Sequence, residues 1–404
     1  MNKAIVMGNL ARWLRLTFTC GLVAVVALAL APAMVANAAP IQVINNNDSG
    51  AGSLRQAIAA AIPGEEITFA DNVTGIITLT SGQLLINKNL TITGPGPDVL
   101  TISGNNASRV FYIGVGATVT ISGLTIANGD AGGDHGGGIY NDGTLILNNC
   151  TVSSNTANAG GGIYNDGTLT LNNCTVSGNI AFVGGGIYNE DTITLNNSTV
   201  SGNTAAFYGG GIWNEYTLTL NNCTVSGNTA AYYYGGGIYN NGSANVKNSI
   251  IAGNNAGAAA PDCVGTLNSY GCNLVEDTSD CTVTGDETCN IYGEDPLLGP
   301  LQDNGGPTFT HALLEGSPAI DGVCTDCGCT TVDGALVTTD QRGEPRPADG
   351  DGDGTALCDI GAYELQPPPG PPGVPTIDHW GIAAMISLFA GLLVWAARRR
   401  RLAF

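Results

Sequence analysis

An all-β fold, a right-handed parallel β-helix, is predicted by three features of the 404-residue sequence. The isoleucine after each glycine run recurs at Ile139, Ile163, Ile187, Ile212 and Ile238, in steps of 24, 24, 25 and 26 residues. A period in the twenties marks a solenoid, because one such unit cannot bury its own inner face. The repeat is rich in Thr, Val, Ile, Tyr, Asn and Gly and poor in helix formers. Within it Thr168-Leu169-Thr170-Leu171 alternates with period two, and Cys174-Thr175-Val176 alternates again, as half-buried strands do. Each coil is expected to hold about three short strands. No leucine–asparagine signature of a leucine-rich repeat is present.

Stacking coils about 4.8 Å apart places like residues over like. Leu145, Leu169, Ile193 and Leu218 should form one interior row, and Val152, Val176, Val200 and Val225 another. Asn155, Asn179, Asn203, Asn228 and Asn254 should form a turn ladder with amides bonded from coil to coil. The glycines at 136–138, 160–162, 184–186, 209–211 and 235–237 supply positive φ and close backbone approach. Degenerate coils are expected upstream, at 76–79, 84–86, 90–92, 100–102 and 119–121. The first coil needs a lid, and Ser53-Leu54-Arg55-Gln56 is a capping-box pattern before a short helix at 57–61.

Both ends carry export devices. Lys3, Arg12 and Arg15 precede an apolar run at 21–31 and a small-x-small site at Ala36-Asn37-Ala38, the pattern of a signal peptide over 1–38. Residues 380–397 hold no charge and precede four arginines, 398–401. At about 1.5 Å per residue such a helix spans roughly 27 Å, enough for a bilayer, with its basic end in the cytoplasm. Between these ends lie an N-terminal cap (39–75), the coils (76–262), a Cys-rich module (263–365) and a stiff Pro/Gly spacer (366–373).

All 33 acidic residues lie between the two devices, opposed there by Arg55, Lys88, Arg109, Lys247, Arg342 and Arg346. This argues against nucleic acid and an anionic membrane surface as partners. Export permits disulfides. Cys263, Cys272, Cys281, Cys289, Cys324, Cys327, Cys329 and Cys358 are an even number, enough for four bridges whose pairing the sequence leaves open. Cys324, Cys327 and Cys329 also suggest zinc, but an exported chain favours disulfides. Cys150, Cys174 and Cys223 fill one repeat position, taken by Ser198 in another coil, and are expected as small buried thiols.

Two stretches resemble known bacterial segments. "SGAGSLRQAIAAAIPGEEITFA" resembles the Ser-Leu-Arg-Glu-Ala opening of β-helix surface proteins, with Gln56 in place of the glutamate. "DPLLGPLQDNGGPTFTHALLEGSPAIDGV" and "TTDQRGEPRPADGDGDGTALCDIGAYE" resemble the choice-of-anchor Q domain over 295–364, which implies export and anchoring but no reaction. The tail resembles an IPTL-type sorting signal of Gram-negative bacteria. Pro375, Thr376, Trp380 and Gly381 match that pattern, while Val374 and Ile377 depart from it. The resemblance implies a membrane processing enzyme as partner and a location in the cell envelope or at the cell surface, with the membrane reached through the C-terminal helix.

The case for catalysis is weak. Polygalacturonase-type Asn-Thr-Asp, Gly-His-Gly and Arg-x-Lys motifs are absent, and His135 sits in a glycine turn. A lyase needs a basic group to take a proton beside a carboxylate, and the repeats after Arg109 hold only Lys247. Asp142, Asp166, Glu190 and Glu215 recur beside the aromatic position, as turn residues do. His311 and His379 suggest no site. Tyr140, Tyr164, Tyr188, Trp213 and Tyr239 form an aromatic ladder expected to stack structurally. Phe207, Tyr208, Tyr232, Tyr233 and Tyr234 arise where the repeat lengthens and, with Trp213, are the candidates for binding surface glycans or other surface proteins. Asp349, Asp351 and Asp353 alternate as in a calcium loop, but Ile360 stands at the twelfth position, so Asp359 or Glu364 would complete the set. The reading is a non-catalytic structural or adhesive surface protein. The rivals are a pectate lyase-like or glycosidase-like β-helix enzyme and a calcium-dependent carbohydrate-binding module.

Overall fold

The computed structural model describes residues 40–367. The expected signal peptide and the tail from 374, including Val374, Pro375, Thr376, Trp380 and Gly381, lie outside them. Among the described residues no helix is long and apolar enough to cross a membrane.

Period-two alternation becomes parallel strands stacked in register. Leu169 pairs with Leu145 below and Ile193 above, and Val176 with Val152 and Val200. Ile163 lies directly beside Ile187. All of these side chains are fully buried. Each contributes about 1.5–3 kcal/mol of burial, and together they make one continuous core along the column. The upstream coils exist, with strands such as Gly75–Thr78, Leu84–Ile86, Leu90–Thr93 and Thr118–Ser122 joined to the same ladders.

Four strands, not three, make each regular coil: Ile163–Asn165, Thr168–Asn172, Thr175–Ser177 and Ile180–Val183 in one example. The fourth belongs to a five-stranded sheet that follows the asparagine ladder. The sequence there reads as a turn because its residues, Thr-Ala-Asn-Ala at Thr156–Ala159, lack a long apolar stripe. Pairing with the next lap holds it extended.

Turn chemistry is divided between asparagine and glycine. Asn149, Asn173, Asn197, Asn222 and Asn248 hold φ between 44° and 53°, a left-handed turn that asparagine tolerates better than most residues. In each glycine triplet only the first residue has positive φ. The second is needed for space: a Cβ on Gly161 would lie 2.5 Å from the carbonyl oxygens of both Gly185 and Ile180.

The predicted asparagine ladder is present. Asn179 donates its side-chain amide to Asn203 Oδ1 at 2.9 Å, and its neighbours repeat the bond. Asp262 ends the row by accepting from Asn254. A second buried ladder, Asn141–Asn165–Asn189–Asn214–Asn240, runs through the asparagine of the recurring Ile-Tyr/Trp-Asn. The Cys/Ser position also has a polar role: Cys174 N–H donates to Ser198 Oγ and Cys223 N–H to Ser249 Oγ, so hydroxyl and thiol are interchangeable there.

The N-terminal lid is a helix at Leu54–Ala60, three residues earlier than expected, with Leu54, Ala57 and Ile58 buried on the core. Ser53 caps it by accepting from Gln56 N–H, while Gln56 reaches back to Gly52 N–H rather than to the cap residue. Beyond residue 262 the ladders run on through Cys263–Tyr270, Cys281–Asp286 and Ile291–Tyr292.

The chain then doubles back as a strap along the ten-stranded sheet. Gln341 is fully buried and donates to Thr175 Oγ1, Thr308 Oγ1 and two backbone carbonyls, while accepting from Thr199 Oγ1. Arg346 pairs with Glu364 at 2.9 Å and bonds Asn222 Oδ1 and Gly361 O. Arg342 pairs with Asp340 and lies 3.7 Å over the Tyr363 ring. His311 is held by Ser201 Oγ and Gly299 O. These contacts give the "TTDQRGEPRP" and "DIGAYE" segments a structural job. Disulfides 263–281, 272–327, 289–324 and 329–358 lock the region, and Cys150, Cys174 and Cys223 stay free and buried.

Candidate functional site

The lengthening of the repeat from 24 to 26 residues is absorbed in the fourth strand and just after it, the second extra residue falling in the bends at 231–234 beyond Thr229–Ala230. Ala181 pairs with Ala205, but Val183 pairs with Tyr208, so one extra residue enters between them. Such a bulge re-aims side chains. Here it turns out a set of rings on one flank. Phe182 faces Phe207 at 6.2 Å, and Phe207 lies 5.7 Å from Tyr233 and 6.1 Å from Tyr232. Tyr208 stacks on Tyr233 at 5.1 Å, with its ring edge against Trp213. Tyr239 closes the cluster at 4.7 Å from Trp213. Phe207, Tyr208, Trp213, Tyr232, Tyr233 and Tyr234 thus come together. Phe182 joins them unforeseen, its signal being its place one lap before Phe207. Tyr232 is 69% exposed and Phe182 56%.

The aromatic ladder behaves differently. Tyr112, Tyr140, Tyr164, Tyr188 and Trp213 stack at 5.0–5.5 Å with nearly parallel planes. Each ring hides the face of the next, and Tyr164 is 6% exposed. The flank rings stack too, Phe182 on Phe207 and Tyr208 on Tyr233, but Phe182, Tyr232 and Tyr233 are exposed, whereas none of these ladder rings is.

Carboxylates run beside the ladder. Tyr112 Oη donates to Asp142 at 2.6 Å, which with burial pushes the phenol up to about 12. Burial, then Glu215 and Glu190, push Tyr188 up to about 12. Trp213 Nε1 donates to Glu215. These contacts tie Asp142 and Glu215 to the ladder.

Two clefts of about 300 and 290 Å3 lie near the N-terminal end, one lined by Arg55 and Lys88, the other by Arg109, Asp130 and Asp134. Their basic groups are occupied. Arg55 holds Asp48, Lys88 holds the carbonyls of Ala59 and Ala61, and Arg109 holds Asp134, Gln83 and the His135 carbonyl.

In the strap, the carboxylates that gather are Asp321, Asp349 and Asp351, with oxygens within 4.8 Å of one another. Asp353 and Asp359 are not in that group. Asp359 is fully buried and accepts from the N–H groups of Asp321 and Leu365, so its oxygens are turned elsewhere. Asp321, which the sequence did not single out, is raised by desolvation and then by the charges of Asp351 and Asp349. Asp349 Oδ1 is buried with no hydrogen-bond partner. An orphaned oxygen among crowded carboxylates fits a hard cation.

Residues 110–288 match the family described as the right-handed beta helix region. No curated protein matches the sequence. Among solved structures, the crystal structure of pectate lyase Pel9A is similar over 81% of this chain and 97% of that one, at 14% identity and a TM-score of 0.46. A likeness this weak carries no chemistry across.

Proposed function

We propose that this β-helix is a non-catalytic, exported column displayed at a Gram-negative cell surface, where it adheres through its aromatic flank. The observation that carries the proposal is the exposed side chains of Phe182, Tyr232 and Tyr233, gathered on a rigid stack of coils. Rings held this way stack on sugar faces at little entropic cost. A lyase base is hard to find: Arg55, Lys88 and Arg109 are engaged as described, and Lys247 donates to Thr330 Oγ1. Export rests on the terminal sequence devices and accords with the four bridges; a membrane processing enzyme is the proposed partner of the tail. A glycan array with the full chain, beside assays for reducing ends and unsaturated products, tests the reading. Binding without product release is expected; product release would replace it with the enzyme reading.

Calcium is proposed at Asp321, Asp349 and Asp351, where it would neutralise the crowded carboxylates and hold the strap. With the weak affinity usual for extracellular modules, about 10 mM calcium should raise Tm by about 2–4 °C. Chelator should reverse the shift and Asp349→Asn abolish it. An unchanged melting curve would remove calcium from the account.

A further inference from the structure

The aromatic flank sits in a field of one sign. Glu215 borders it, accepting from Trp213 Nε1 and Asn241, and its charge, behind burial and Tyr208, raises the phenol of Tyr239. Glu190 stands one lap below, in the same row as Glu215 and next to Tyr188. No described cation covers these rings: the arginines found over aromatic faces are Arg109, on Tyr112 and Tyr140, and Arg342, on Tyr363. The remaining described charge is strongly acidic. The rings also repeat along the column, Phe182 to Phe207 at 6.2 Å and Phe207 to Tyr232 at 6.1 Å.

Resting on the adhesive reading, we infer that this flank takes a polysaccharide bearing protonated amino groups, a polymer of glucosamine type. Three properties converge on it. Flat C–H faces of successive sugars match exposed rings that recur from coil to coil, Phe182 and Tyr232 among them. Ammonium groups gain from the π faces and from Glu215 and Glu190. Weak contacts repeated along one chain add by effective concentration. A polyuronate would set its carboxylates against Glu190, Glu215 and the acidic column. A lysine-rich segment meets the charge but not the flat repeat, and it must freeze a long flexible side chain at each contact.

The test is binding of the full chain to immobilised chitosan, fully N-acetylated chitin, polygalacturonate and polylysine, at about pH 5.5, where amines are charged and exposed carboxylates largely ionised. Chitosan should bind about tenfold more tightly than chitin, and the preference should shrink in high salt. Tyr232→Ala with Tyr233→Ala should weaken both sugars about tenfold. Glu215→Gln keeps an acceptor for Trp213 and should reduce only the preference for the amine. Equal binding of chitin, or tighter binding of polygalacturonate or polylysine, would overturn the amino-sugar inference and leave an adhesive surface standing. Binding to none of the four, with an empty glycan array, would remove the adhesive reading and this inference with it.

Discussion

The coils between 139 and 256 and the strap from 295 to 366 are held by opposite kinds of contact. In the coils a residue meets its own equivalent one lap away: Asn165 bonds Asn189 across 24 positions. In the strap Gln341 bonds the Cys174 carbonyl across 167 positions, and nothing in the sequence repeats to announce it. Neighbour-only coupling gives a column whose laps can be lost one by one; long-range coupling fastens a flap whose loss should leave the column standing.

The largest expected effect separates these two regions. Arg346→Met leaves buried Glu364 without its partner and Asn222 Oδ1 and Gly361 O without their donor. Breaking a buried pair from one side costs about 3–5 kcal/mol. Limited proteolysis should then cut the 295–366 segment, which stays tethered through Cys272–Cys327 and Cys289–Cys324 until those bridges are reduced, while the coils melt almost as before. If coils and strap instead lose stability together in urea, the two regions are one cooperative unit and the contrast fails.

The second effect lies inside the column. Gly161→Val forces a side chain against two carbonyl oxygens of the neighbouring backbone, where no rotamer change helps. A loss of about 3 kcal/mol or more is expected, against less than about 0.5 kcal/mol for the exposed Thr168→Ala. Similar losses at the two sites would mean that close approach of the laps is not what sets the stability of a coil.

This contrast also explains what could be read in advance. The inward rows of Leu169 and Val176, the asparagine ladder and the lid helix were legible because each follows from a local pattern or a fixed period. The fourth strand was not, since lap-to-lap pairing rather than apolar alternation makes it extended. The flank was half legible: a lengthening repeat pointed to Phe207 and Tyr232, but only the bulge shows that Phe182 shares their surface. Of the proposed calcium set, Asp349 and Asp351 were visible in an alternating motif. Asp321 lies 28 residues before Asp349 and is brought beside it by the fold, while Asp359, chosen by spacing, is used up by backbone N–H groups.

The smallest effect falls where the periodic ladder stops. An asparagine row needs an acceptor at its end and no further donor, and Asp262 supplies that, taking Asn254 N–H and side-chain amide on Oδ1 and Asp277 N–H on Oδ2. Burial nevertheless dominates its titration and pushes the carboxyl up to about 6, although these hydrogen bonds pull it down. A raised carboxyl binds its proton more tightly in the folded state than in the unfolded one. Its contribution is therefore fully present below about pH 4 and is lost as pH rises toward and through about 6, a change of about 2–3 kcal/mol. Asp262→Asn should flatten the dependence of stability on pH across that window while losing the bond from Asp277 N–H. Urea midpoints from about pH 4 to pH 7 would show it. A slope unchanged by the substitution would mean that the ladder ends in a carboxylate as comfortably as it runs through amides, and that the end of the repeat imposes no electrostatic cost.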